Sequence, residues 1–102
     1  MTPTVLHPMD FYLHLDQAVG KVLVLFLAPR CGGCKRLLHL LAQEVELSVP
    51  CVQVNAEDAG FLLEEFGIRH LPTVLCFEGG ECIGEIESLQ SVSALLEAAE
   101  AL

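Results

Sequence analysis

Two cysteines, Cys31 and Cys34, stand either side of Gly32-Gly33, directly after an apolar stretch that runs from Val22 to Ala28. Pro29 to Gly33 breaks that stretch, and the apolar spacing that follows predicts a helix opening at the two thiols. A helix N-terminus carries free N–H groups and a partial positive charge, and both stabilise a thiolate. Cys31 is therefore predicted to be the nucleophile. Two intervening residues bring Cys34 around one turn to face it, so a small disulfide ring closes without distorting the helix, and Cys34 is predicted to resolve. Arg30 and Lys35 flank the pair and favour the thiolate further, with an effect that solvent screens. The chemistry is thiol–disulfide exchange: Cys31 attacks a partner's disulfide, a mixed disulfide forms, and Cys34 attacks the Cys31 sulfur to release the reduced partner. It requires no metal and no organic cofactor.

Other chemistries for these residues are less well supplied. Zinc needs about four ligands, and Cys51, Cys76, Cys82, His7, His14, His39 and His70 form no second close pair. An iron–sulfur cluster shared between two chains is compatible with Cys-Gly-Gly-Cys but is not demanded by it. Cys51 and Cys76 fall in predicted strands and read as packing residues, while Cys82, just past a turn, is predicted to be more exposed. A Cys76–Cys82 pairing across the hairpin has little to recommend it beyond proximity. Glu44, Glu46, Glu64 and Glu65 read as solvated helix faces, and Phe26, Phe61, Phe66 and Phe77 as core packing.

The elements that must hold the thiols are legible in the apolar pattern. Asp10 is placed to cap a helix carrying Phe11, Leu15, Ala18 and Val19, and Gly20 to stop it. Val22 to Ala28 reads as a central strand buried on both faces. The helix at the cysteines carries Cys34, Leu37, Leu38, Leu41 and Val45 on one stripe. Cys51, Val52 and Val54 form a strand, and Ala59, Leu62, Leu63 and Phe66 one face of a helix ended by Gly67. Thr73 to Phe77 and Cys82 to Glu87 make a hairpin about Gly79-Gly80. Val92, Leu95, Leu96 and Ala99 complete a last helix. With a short strand near Thr4 to Leu6, the order is βαβαβαββα: one α/β domain over residues 1–102, a mixed sheet covered by helices on both faces.

At this point the chain resembles the thioredoxin family, nearly end to end. The resemblance rests on the strand–Cys-x-x-Cys–helix unit, on Val54-Asn55-Ala56 and on Phe66-Gly67-Ile68-Arg69-His70-Leu71-Pro72-Thr73. It implies a cis Pro72 against the sulfurs, a Leu71 that offers its backbone to an extended substrate peptide, and substrate contacts at Arg30, Gly32 and Gly33. The departures bear on mechanism. Arg30 stands where the family has Trp, and Gly33 where it has Pro. Leu25 replaces a buried Asp and Gln53 its Lys partner, so the family's internal acid–base group for Cys34 is missing. His39 replaces a helix proline, and Glu87 or Ser88 a later glycine. His70, two residues before Pro72, is expected beside the sulfurs, where it would tune Cys31 and stand in for the missing group.

Composition bounds the partners. Five Lys+Arg against fourteen Asp+Glu give a net charge of -9, which disfavours nucleic acid and anionic membrane surfaces. Three of those cations, Arg30, Lys35 and Arg36, nevertheless cluster at the thiols. No apolar run approaches the ~20 residues of a membrane span, and the first residues show no basic-then-apolar signal or transit pattern. An odd count of five cysteines favours a reducing compartment, hence a cytoplasmic protein, and small size with a covered sheet favours a monomer. The predicted function is reduction of disulfides in cytoplasmic protein partners, with recycling by a reductase or small thiol. The alternative is a chaperone or assembly module on the same fold, with the dithiol secondary.

Overall fold

In the computed structural model, which describes residues 1–102, Val22 to Leu27 are all buried because their strand has a neighbour on each edge and helices over each face. The elements run β1 (Thr4–Val5), α1 (Phe11–Gln17), β2 (Lys21–Leu27), α2 (Gly32–Ala42), β3 (Cys51–Asn55), α3 (Gly60–Glu65), β4 (Thr73–Glu78), β5 (Glu81–Ile86) and α4 (Val92–Glu100). The sheet order is β1-β3-β2-β4-β5, with β1, β3 and β2 parallel and β4 and β5 antiparallel to their neighbours. This is the βαβαβαββα order read from the sequence.

The two-residue period of β2 divides the core. Leu23, Leu25 and Leu27 pack with Cys34, Leu37 and Leu41 of α2 and with Leu95 and Ala99 of α4. Val22, Val24 and Phe26 pack on the other face with Phe11 and Leu15 of α1 and Leu62 of α3. Phe11 is the hub of the second layer, with ring centroids 6.2, 5.8 and 5.4 Å from Phe26, Phe66 and Phe77. Each such buried side chain contributes about 1.5–3 kcal/mol relative to exposure. The result holds the β2–α2 junction, and the thiols on it, from both sides.

Some local expectations yield to tertiary structure. Asp10 makes no side-chain cap; Pro8–Asp10 form a 3-10 turn instead, and His7 Nδ1 accepts from Met9 N–H at 3.1 Å. The α1 helix ends at Gln17, so Val19 leaves its stripe and is 95% exposed. Likewise α2 ends at Ala42 and leaves Val45 97% exposed. Phe61 sits in the first turn of the short α3, around the helix from buried Leu62, and is half exposed. At the hairpin, Gly79 and Gly80 take φ +62 and +81, the left-handed pair a two-residue turn needs.

One long-range contact fastens the last helix. Lys21 Nζ donates to the carbonyls of Ala99, Glu100 and Leu102 at 3.0, 3.3 and 2.8 Å, closing the C-terminal end of α4 where a positive charge is favoured. At its other end Ser91 Oγ accepts from Ala94 N–H at 3.1 Å.

Candidate active site

The chain leaves β2 at Leu27, turns through Ala28, Pro29 and Arg30, and enters α2 with Cys31 as its N-cap residue. Cys31 is extended there (φ -106, ψ 115), and its Sγ accepts the Cys34 N–H at 3.2 Å. A sulfur thus takes the place that Ser or Asp commonly fills at a helix start, facing otherwise unpaired N–H groups. Cys31 is partly exposed, whereas Cys34 is 1% exposed against Leu37 and the β2 leucines. The two thiols have been given unequal surroundings.

Their acidities diverge accordingly. The hydrogen bond from the Cys34 thiol holds Cys31 below its ordinary value, helped by the Cys34 and Gly33 N–H groups and opposed by partial burial. Burial, then the hydrogen bond to Cys31, pushes Cys34 up to about 11. Cys31 is the thiol that ionises first.

Pro72 closes the site from the other side. The Leu71–Pro72 peptide bond is cis, and a methyl group built on Gly33 would lie 3.0 Å from Pro72 Cδ. A side chain at Gly33 would press on Pro72 by a few tenths of an ångström, whereas Gly32 beside it faces open space. Leu71 is half-buried and packs against both core layers.

The charged residues expected to tune Cys31 do so less than the sequence suggests. Arg30 and Lys35 are exposed, and neither is among the groups that shift Cys31. His70, expected beside the sulfurs, lies instead with Nε2 3.9 Å from Glu85 Oε2 on β5, its side chain 69% exposed. Thr73 Oγ1 donates to the His70 carbonyl at 2.6 Å and fixes the loop at that point.

Behind Cys34 the structure holds a feature the sequence did not announce. A cavity of about 320 Å³ is lined by Cys34, Lys35, Leu38, Leu27, Gln53 and Asn55, among others, and its only ionisable groups are Cys34 and Lys35. Leu25 is fully buried in the leucine layer, and Gln53 Nε2 donates to the Pro3 carbonyl at 2.8 Å. No carboxylate lines this space beside Cys34. The sequence signal was the pair Leu25 and Gln53, but an open pocket walled by β1, β2, β3 and α2 becomes apparent only once they are assembled.

Of the remaining thiols, Cys51 and Cys76 are buried in the same core layer as Cys34. Burial pushes Cys51 up to about 12 and also raises Cys76, while Cys82 is exposed on β5. All five cysteines are free. The hairpin register sets Cys82 opposite Phe77 and Cys76 opposite Gly84, so the pairing weighed from sequence is out of register. No three His, Cys, Asp or Glu side chains are grouped to hold a metal ion.

Comparison with known proteins agrees with this geometry. Residues 2–101 match the family model described as Thioredoxin. A thioredoxin of Porphyra purpurea is 37% identical over 68 residues, 64% of this chain and 64% of that protein. An M-type chloroplastic thioredoxin of Zea mays is 41% identical over 63 residues, 59% of this chain and 38% of that protein. These matches span less than two thirds of either relative. The fold itself extends further: oxidised mitochondrial thioredoxin 3 of Saccharomyces cerevisiae superposes with a TM-score of 0.79 at 23% identity, over 98% of this chain and 95% of that one. A Halobacterium salinarum thioredoxin variant gives the same score and identity over 99% and 93%. With the family model covering all but the two terminal residues, the chain belongs to the thioredoxin family.

Proposed function

We propose that this chain is a thioredoxin-type protein disulfide oxidoreductase working as a reductase. The observation that carries the reading is the inequality of the two thiols: Cys31 is accessible and ionises readily on the helix N-cap, whereas Cys34 is buried behind it and holds its proton. One attacks and the other waits.

The Cys31 thiolate attacks one sulfur of the partner's disulfide. A new S–S bond joins it to the partner, and the other partner sulfur leaves as a thiolate that takes a proton from solvent. Cys34 then loses its proton and attacks Cys31 Sγ. The bond to the partner breaks, the second partner thiolate takes up a proton, and two electrons have passed to the partner, leaving a Cys31–Cys34 disulfide. Leu71 and cis Pro72, with Arg30, Gly32 and Gly33, receive the extended partner segment. A reductase or small thiol restores the dithiol. An odd and sparse count of five cysteines favours a reducing compartment such as the cytoplasm, and we propose a monomer.

The test is turnover with single-thiol variants. The protein is expected to accelerate reduction of a test protein disulfide beyond dithiothreitol alone, Cys31→Ser to abolish this, and Cys34→Ser to retain the partner in a complex that reductant releases. Partner complexes that survive Cys31→Ser and ignore reductant would instead support the binding-module reading, for which the missing carboxylate behind Cys34 is the motive.

A further inference from the structure

The fourteen acidic residues are spread over the body of the molecule, but the five Lys and Arg are not. Lys21 is engaged on the C-terminal carbonyls of α4. The other four lie on the two segments that carry the dithiol and cis Pro72. Arg30 adjoins Cys31, Lys35 and Arg36 lie in the first turns of α2, and Arg69 lies three residues before Pro72, within about 10 Å of it by chain length. All four are exposed, and no carboxylate oxygen lies within 4 Å of any of them. Glu85 Oε2 instead lies 3.9 Å from Nε2 of His70, the neighbour of Arg69 in sequence. A chain of net charge -9 thus leaves every Lys and Arg not holding its own fold unpaired, and all four lie on the β2–α2 segment or the loop before Pro72.

We infer that the rim formed by Arg30, Lys35, Arg36 and Arg69 selects protein partners whose disulfide is flanked by acidic residues. This inference rests on the oxidoreductase reading above. The acidic body repels such a partner everywhere except at the face that presents Cys31, so the field both attracts and orients it. Three of the four cations are arginines, whose planar guanidinium can pair with a carboxylate through two hydrogen bonds. A polyphosphate chain is a poorer fit, because a long uniform anion must also pass over the surrounding acids.

The experiment uses three synthetic peptides with the same intramolecular disulfide, flanked by glutamates, glutamines or lysines. Each is mixed with reduced protein in a single turnover, so the Cys31–Cys34 dithiol supplies both electrons and the released peptide thiols are counted. At low ionic strength the acidic peptide is expected to be reduced about tenfold faster than the neutral one, and the basic peptide more slowly than either. In 1 M salt, where screening acts over about 3 Å, the rates should converge. The double variant Arg36→Gln/Arg69→Gln should reduce the acidic-to-neutral ratio at low salt. Equal rates for all three peptides at low salt would overturn the charge selection and leave the oxidoreductase reading standing. Reduction of none of them would overturn both.

Discussion

The missing carboxylate behind Cys34 has a kinetic signature that can be worked out from the structure. Cys34 lies at about 11, so at pH 7 its reactive thiolate is only about 10⁻⁴ of the population. No ionisable partner other than Lys35 lines the cavity behind it, and a protonated ammonium cannot accept the proton. Release of the proton to solvent then controls the second step. Burial, the largest cause of the shift, persists in the mixed disulfide, although the hydrogen bond to Cys31 does not. The resolution rate should therefore rise about tenfold per pH unit, or about a hundredfold between pH 7 and 9. The assay mixes reduced protein with a peptide disulfide, quenches with acid at set times, and follows the mixed disulfide by mass spectrometry. Cys34→Ser, in which the intermediate cannot resolve internally, gives the baseline. A resolution rate that is flat from pH 7 to 9 would overturn this assignment, because it would require a base inside the protein that takes the Cys34 proton.

Further outcomes follow from individual contacts. Gly32→Ala, whose methyl meets open space in the first turn of α2, should stabilise the fold by about 0.5–1 kcal/mol in urea unfolding. Gly33→Ala should gain less, since its methyl meets Pro72 Cδ at 3.0 Å. Lys21→Met should cost about 1–2 kcal/mol and lower Tm, because three carbonyls at the end of α4 lose their donor. Native Cys51 keeps its proton up to about 12 while the unfolded thiol loses it near 9. The native state then binds more protons, so stability should fall above pH 9 by about 1.4 kcal/mol per pH unit for this thiol, and Cys51→Ala should remove that share of the slope in urea midpoints. His70→Ala should leave the Cys31 titration within about 0.3 pH unit of the parent, as thiolate absorbance can show, because its ring contacts Glu85 rather than a sulfur.

The parts of the site that depend on neighbours in sequence were legible beforehand. A buried strand, a break and a Cys-x-x-Cys opening a helix are local signals, and the Cys31 N-cap follows directly from them. Pro72 and Leu71 came from the resemblance, because nothing in their own residue types announces a site. What escaped is set by distant chain. Val19 and Val45 continue helical stripes on paper, but their helices stop first, where the layers end. His70 is close to Pro72 in sequence, yet the strand its ring meets is decided by how β5 lies beside β4. Lys21 caps a helix 78 residues away, a contact no local pattern encodes. The cavity behind Cys34 is the shape left between elements, and only Leu25 and Gln53 hinted at its chemistry.

The division of labour between the two thiols is tested most directly by site-resolved alkylation of the reduced protein across pH 5 to 10, with each cysteine quantified by peptide mass spectrometry. Cys31 is expected to be modified first, with a rate that titrates below 9, while Cys34 stays protected throughout the range. Modification of Cys34 at the same pH and rate as Cys31, or ahead of it, would contradict that division of labour.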